Sequence, residues 1–70
     1  MTLKEAQAGK AYIIRAVNTQ DKELNAFLFS LGCCSGEEIA VVFRRRGCCV
    51  VAIKDGRYCI DNGLAGTIAV

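Results

Sequence analysis

The stretch EEIAVVFRRRGCCVVAIKDGRYCI, Glu37 to Ile60, decides the fold, because its apolar residues recur at every second position and turn signals cut it into three pieces. In the first piece Ile39, Val41 and Phe43 share one face of a strand. Arg44 to Gly47 form the tip of a hairpin. In the return strand Cys49, Val51 and Ile53 lie on one face and Cys48, Val50, Ala52 and Lys54 on the other. Lys54 is the only charge among them, so its face is the solvent side. Asp55-Gly56 signals a second tight turn, and Arg57 to Ile60 make a short third strand.

Upstream, Thr2 and Glu5 have the spacing of a capping box and predict a single helical turn at the start. Gly9 leads into KAYIIRAV, where Tyr12, Ile14 and the apolar neighbours Ile13 and Val17 suit a strand. Asn18 to Lys22 read as a polar turn, with Asp21 as an N-cap. Leu24, Phe27, Leu28 and Leu31 then fall at i, i+3, i+4 and i+7, the stripe of one amphipathic helix. Gly32 follows where a left-handed C-terminal cap belongs. Downstream, Asp61-Asn62-Gly63 predict a turn and Thr67 to Val70 a last short strand. Short strands, tight turns and one helix predict a mainly β chain curled into a small antiparallel barrel.

Composition sets the outer bounds. The chain has 70 residues, 53% apolar and 23% charged, which suits one small globular domain over 1–70 with a thin core. No apolar run reaches the roughly 20 residues of a membrane span, and MTLKEAQAGK has no signal-like apolar segment. A cytoplasmic location is expected. A net charge of +2 is too small to argue for nucleic acid.

Five cysteines cannot close a complete disulfide set, and a reducing cytosol would keep them as thiols. Zinc sites favour C-x2-C pairs, whereas the cysteines here are adjacent. One sulfur from each pair plus Cys59 could supply three ligands, but there is no histidine to complete a site, so no metal site is expected. Cysteine as a small hydrophobe accounts for Cys33, Cys49 and Cys59. Cys34 and Cys48 fall on the less buried side, as accessible thiols.

No catalytic constellation is present. The chain lacks histidine and tryptophan, and GLAG (Gly63 to Gly66) lacks the length and lysine of a phosphate loop. The residues argue against an enzyme. Arg44, Arg45 and Arg46 serve solubility as readily as recognition; the functional reading is contact with an acidic partner surface or with phosphates beside a membrane-bound partner. Phe27 and Phe29 lie about 160° apart around the helix, so both cannot be deeply buried. One of them is expected at the surface as a docking contact.

The order of these motifs resembles the FeoA family (ferrous iron transport protein A). The resemblance rests on TLKEAQAGK before a strand, a helix ending in LFSLG, the LG-x-x-x-G of Leu31, Gly32 and Gly36, a VVF strand, and the closing LAGTIAV. It implies an SH3-like antiparallel barrel of about five strands with one α-helix across it, a fold also found in iron-dependent repressors. It further implies a cytoplasmic accessory protein of bacterial ferrous iron uptake that docks on the FeoB-type GTP-binding membrane transporter. On that reading Phe27, Phe29, Arg44, Arg45 and Arg46 are the partner contacts, while Leu31, Gly32 and Gly36 are structural. No cofactor, nucleic acid or membrane insertion is expected, and any transition-metal binding or self-association would be weak. The competing reading is a metal- or thiol-based iron sensor using the cysteines. The sequence departs from the family pattern at Cys33, Ser35, Cys48 and Cys59. Phe27 stands where a basic residue is common, which favours it as the exposed ring.

Overall fold

The computed structural model describes residues 1–70. A 3₁₀ turn at Leu3–Glu5 precedes β1 (Ala11–Ile13) and β2 (Ala16–Val17). α1 (Lys22–Leu31) follows, then β3 (Glu38–Arg45), β4 (Cys48–Ile53), β5 (Gly56–Asp61), α2 (Asn62–Ala65) and β6 (Ile68–Ala69). A four-stranded antiparallel sheet runs β1-β3-β4-β5, and β2 pairs with β6. The expected mainly β barrel with one principal helix is what forms.

The long strand predicted over KAYIIRAV is instead two short ones, because the chain changes partners at its middle. Ile14 still bonds to the β3 side, donating to Glu37 O at 2.8 Å. Arg15 N then donates to Ala69 O at 2.8 Å, which starts the β2–β6 pair. This corner turns the inner face inward again, so Ile14 is buried while Ile13 points out and is exposed.

In β3 the alternation holds only as far as Val41. Val41 pairs with Val51 and Phe43 with Val50, so Val42 is the extra residue of a bulge. Every residue after it changes face. Phe43, expected beside Ile39 and Val41, is exposed, and Arg44 takes the inner face opposite buried Cys49. The first hairpin turns on Arg46 and Gly47 alone, since Arg45 still pairs with Cys48. The second turns on Lys54-Asp55 rather than Asp55-Gly56, because Ile53 pairs with Gly56.

Asp61-Asn62-Gly63 forms more than a turn. The Asp61 carboxylate accepts from Leu64 N at 2.7 Å and caps the helical turn α2. That cap delivers Ala65 and then Ile68 into the core. The ends of the chain meet: Val70 N donates to Met1 O at 2.9 Å, and Thr2 bridges Ala69. Glu5 folds back onto Thr2 in the expected capping box.

The core comprises Leu3, Ala6, Ile14, Leu28, Cys33, Ile39, Val41, Cys49, Val51, Ile53, Ile60, Ala65 and Ile68. Inner β3, β4 and β5 residues supply six of the thirteen, so the hairpins hold the barrel and the helix lies over one side of it.

Candidate functional site

α1 starts and stops where its sequence says. Asp21 Oδ1 accepts from Glu23 N at 2.9 Å and Leu24 N at 3.2 Å, satisfying two amides that the first turn leaves free. At the other end Gly32 has φ +99°, its amide donates to Phe29 O, and Cys33 N donates to Leu28 O at 3.0 Å. That pair of bonds is a Schellman closure.

The covered face of α1 is narrower than its apolar stripe. Only Leu28 is fully buried; Leu31 is half-buried, and Leu24 is 39% exposed. With Leu28 pointing straight into the barrel, the rings of Phe27 and Phe29 stand about 100° to either side of it. Both are therefore exposed, Phe27 at 51% and Phe29 at 69%, where one had been expected at the surface. Leu24 and Phe27 adjoin on the same flank at i, i+3, so that flank carries a continuous apolar strip. Phe29 stands alone on the other.

The three arginines have separate jobs. Arg44, turned inward by the bulge, donates from Nη1 to Leu3 O (2.9 Å) and Ala6 O (2.8 Å), and from Nη2 to Lys4 O (2.7 Å). It ties β3 to the N-terminal 3₁₀ turn, closing three carbonyls no strand reaches, and its fork geometry suits that task. Arg45 lies over the Phe43 ring, 5.2 Å from its centroid. Arg46 is exposed at the hairpin tip. Of the expected contacts in this cluster, Arg45 and Arg46 face outward and Arg44 is committed to the fold.

The cysteines divide by face. Cys33 and Cys49 are buried, as packing requires. Burial, helped by the neighbouring Cys34, pushes the Cys33 thiol up to about 11. Burial also raises Cys49, against the opposing pull of Arg44. Cys34 and Cys48 are half-buried. Cys59, expected as filler, is exposed: β5 alternates and Ile60 takes the inward position, leaving Cys59 outside. No three His, Cys, Asp or Glu side chains converge, so the trio of one sulfur from each pair plus Cys59 does not assemble. Sequence reasoning missed that Cys48 and Cys59 meet, with their sulfurs 2.7 Å apart.

No helix is long and apolar enough to cross a membrane. No curated protein matches the sequence. Among solved structures the fold matches Stenotrophomonas maltophilia FeoA complexed with zinc, described as an SH3 domain protein. The TM-score is 0.88 at 21% identity, over 100% of this chain and 88% of that one. It also matches an iron uptake regulatory protein, FeoA, with a TM-score of 0.81 at 25% identity, over 97% and 93% of the two chains. A manganese-dependent transcriptional repressor matches with a TM-score of 0.88 at 20% identity, over 97% of this chain but 39% of the repressor. The barrel is thus SH3-like and recurs as part of a larger regulator. The FeoA domain family model matches residues 1–70, the whole length described, and the chain belongs to the FeoA domain family.

Proposed function

We propose that this chain is a cytoplasmic accessory protein of ferrous iron uptake that docks on the cytoplasmic part of a FeoB-type transporter and changes its activity. Family membership supports the iron-uptake context, and the Stenotrophomonas protein of the same fold is described as a candidate ferrous iron transport activating factor. The observation that carries the docking mode is the uncovered flank of α1. A ten-residue helix that buries one side chain while leaving Leu24 and Phe27 side by side in solvent offers an apolar ridge to a groove. Phe29 stands on the opposite flank of α1, and Arg45 with Arg46, exposed toward the β3–β4 tip, offer a separate positive contact suited to an acidic partner surface. A binding role asks nothing of catalytic groups. To alter the transporter the chain must bind two of its states with different affinity, because equal affinity shifts no equilibrium.

The test is capture of the transporter from native membranes, with and without guanine nucleotide, using the full chain as bait. The unaltered chain captures it, and more in one nucleotide state than in the other. Phe27→Ala weakens binding at least about tenfold, roughly 1.4 kcal/mol, while melting temperature falls by only a few degrees because half of the ring is already out of the protein. Arg45→Glu with Arg46→Glu slows association and flattens its salt dependence. Capture by Phe27→Ala and Phe29→Ala variants equal to that of the unaltered chain would refute the helix as the contact.

A further inference from the structure

β4 and β5 bring two thiols together on the outer face of the sheet. Cys48 opens β4 opposite Asp61, and Cys59 lies in β5 opposite Val50, so the two are diagonal neighbours on one face. The Cys59 thiol donates to the Cys48 sulfur across 2.7 Å. Cys59 is exposed and Cys48 half-buried, so a small molecule can reach both. No third His, Cys, Asp or Glu joins them in a metal-holding group, and two sulfurs are too few to enclose a tetrahedral metal, whereas two adjacent thiols are what disulfide exchange requires.

We propose that Cys48 and Cys59 form a thiol–disulfide exchange site whose substrate is a low-molecular-weight disulfide, RSSR. The Cys48 thiolate, its proton given to solvent, attacks one sulfur of RSSR. The S–S bond breaks, one RSH leaves, and a mixed disulfide Cys48–S–S–R forms. Cys59 then loses its proton and attacks the Cys48 sulfur, expelling the second RSH and closing the Cys48–Cys59 bond. Two protein thiols are oxidised and one RSSR is reduced to two RSH.

The order of attack follows from the surroundings. The pKa of Cys59 is raised, first by its hydrogen bond to Cys48, then by desolvation and the Cys48 charge, with Arg45 pulling the other way. Cys59 therefore holds its proton more tightly as long as Cys48 is uncapped. Capping Cys48 removes the hydrogen bond and the charge that it contributes, so Cys59 gives up its proton more easily for the second step, although desolvation and the Cys49 charge still oppose the pull of Arg45.

The experiment treats the reduced full chain with glutathione disulfide, without oxygen, and follows intact mass and trypsin fragments. The unaltered chain loses two hydrogens and gains a cross-link joining the fragment Gly47–Lys54 to Tyr58–Val70. Cys48→Ser and Cys59→Ser each lose that cross-link and stop at a glutathione adduct, which persists at least about tenfold longer because the intramolecular attack is gone. Cys34→Ser keeps the cross-link. Adducts without a cross-link in the unaltered chain, a cross-link that survives Cys48→Ser through Cys49, or cross-linked dimers alone would each overturn the proposal.

Discussion

Gly-Cys-Cys occurs twice in this chain, at Gly32–Cys34 after α1 and at Gly47–Cys49 at the start of β4, and the two copies bury opposite cysteines. Both glycines are left-handed, φ +99° and +87°. After Gly32 the backbone completes a helix stop. Cys33 then holds the position whose amide returns to Leu28 O, and its side chain joins Leu28 in the core. After Gly47 the backbone enters a strand. Alternation sends Cys48 outward toward Cys59 and Cys49 inward opposite Arg44. The same tripeptide thus yields a buried first sulfur in one place and a buried second in the other. The backbone path beyond the glycine selects the sulfur, and the residue types alone do not.

The sharpest way to separate the two copies is at the glycines themselves. A Cβ at Gly32 would sit 3.1 Å from Ile53 Cγ2 and 3.3 Å from Lys54 Cδ, while at Gly47 it would meet nothing within 4 Å. Both alanine variants carry the backbone cost of a left-handed residue, about 1 kcal/mol. Gly32→Ala also presses on a core isoleucine, so its total is about 3 kcal/mol and Gly47→Ala stays near about 1 kcal/mol. Urea unfolding midpoints of the two variants read the difference directly. Equal losses would mean that the Gly32 cap does not rest on Ile53.

High pH separates them next. A thiol held above its ordinary 9.0, at about 11 for Cys33, prefers its neutral form in the folded state. Its contribution is intact below pH 9 and drains away as pH rises toward 11. Near the top of that window the loss is about 2 kcal/mol. The measurement is the difference in unfolding free energy between the unaltered chain and Cys33→Ala across the window. That difference shrinks as pH rises. Cys49→Ala gives a weaker trend of the same sign, because the Arg44 charge offsets part of the effect of burial.

Alternation in Glu37–Ile60 was enough to read the sheet and the inward set Ile39, Val41, Cys49, Val51 and Ile53. Two backbone details were not readable, and each changed a candidate site. The bulge at Val42 carries no glycine or other marker, yet it sends Phe43 out and Arg44 in, which removes one arginine from the surface. A turn centred on Asp55-Gly56 would pair Cys59 with Ala52; the turn on Lys54-Asp55 pairs it with Val50, beside Cys48. Lys54 accepts φ +51° there, which residue preference argues against. The helix limits were legible because caps are local chemistry, held by Asp21 and Gly32. How much of the apolar stripe the barrel would cover was not, since coverage depends on how α1 is laid over the sheet.

The smallest effect tests the alternation at the second copy directly. Replacing sulfur by oxygen changes size little but brings a hydroxyl that must be desolvated wherever the side chain is buried. Cys49 is fully buried in the core with Val51, Ile53 and Ile60, so Cys49→Ser costs about 1.5 kcal/mol. At Cys48 the hydroxyl stays partly hydrated beside Cys59, and Cys48→Ser costs less than about 0.5 kcal/mol. The corresponding pair in the first copy reverses, with Cys33→Ser the costly change and Cys34→Ser the mild one. Melting temperatures of the four serine variants, measured near neutral pH with reductant present, give the ranking. If the costly positions were the first cysteine in both copies, or the second in both, the backbone after each glycine would not be what selects the buried sulfur.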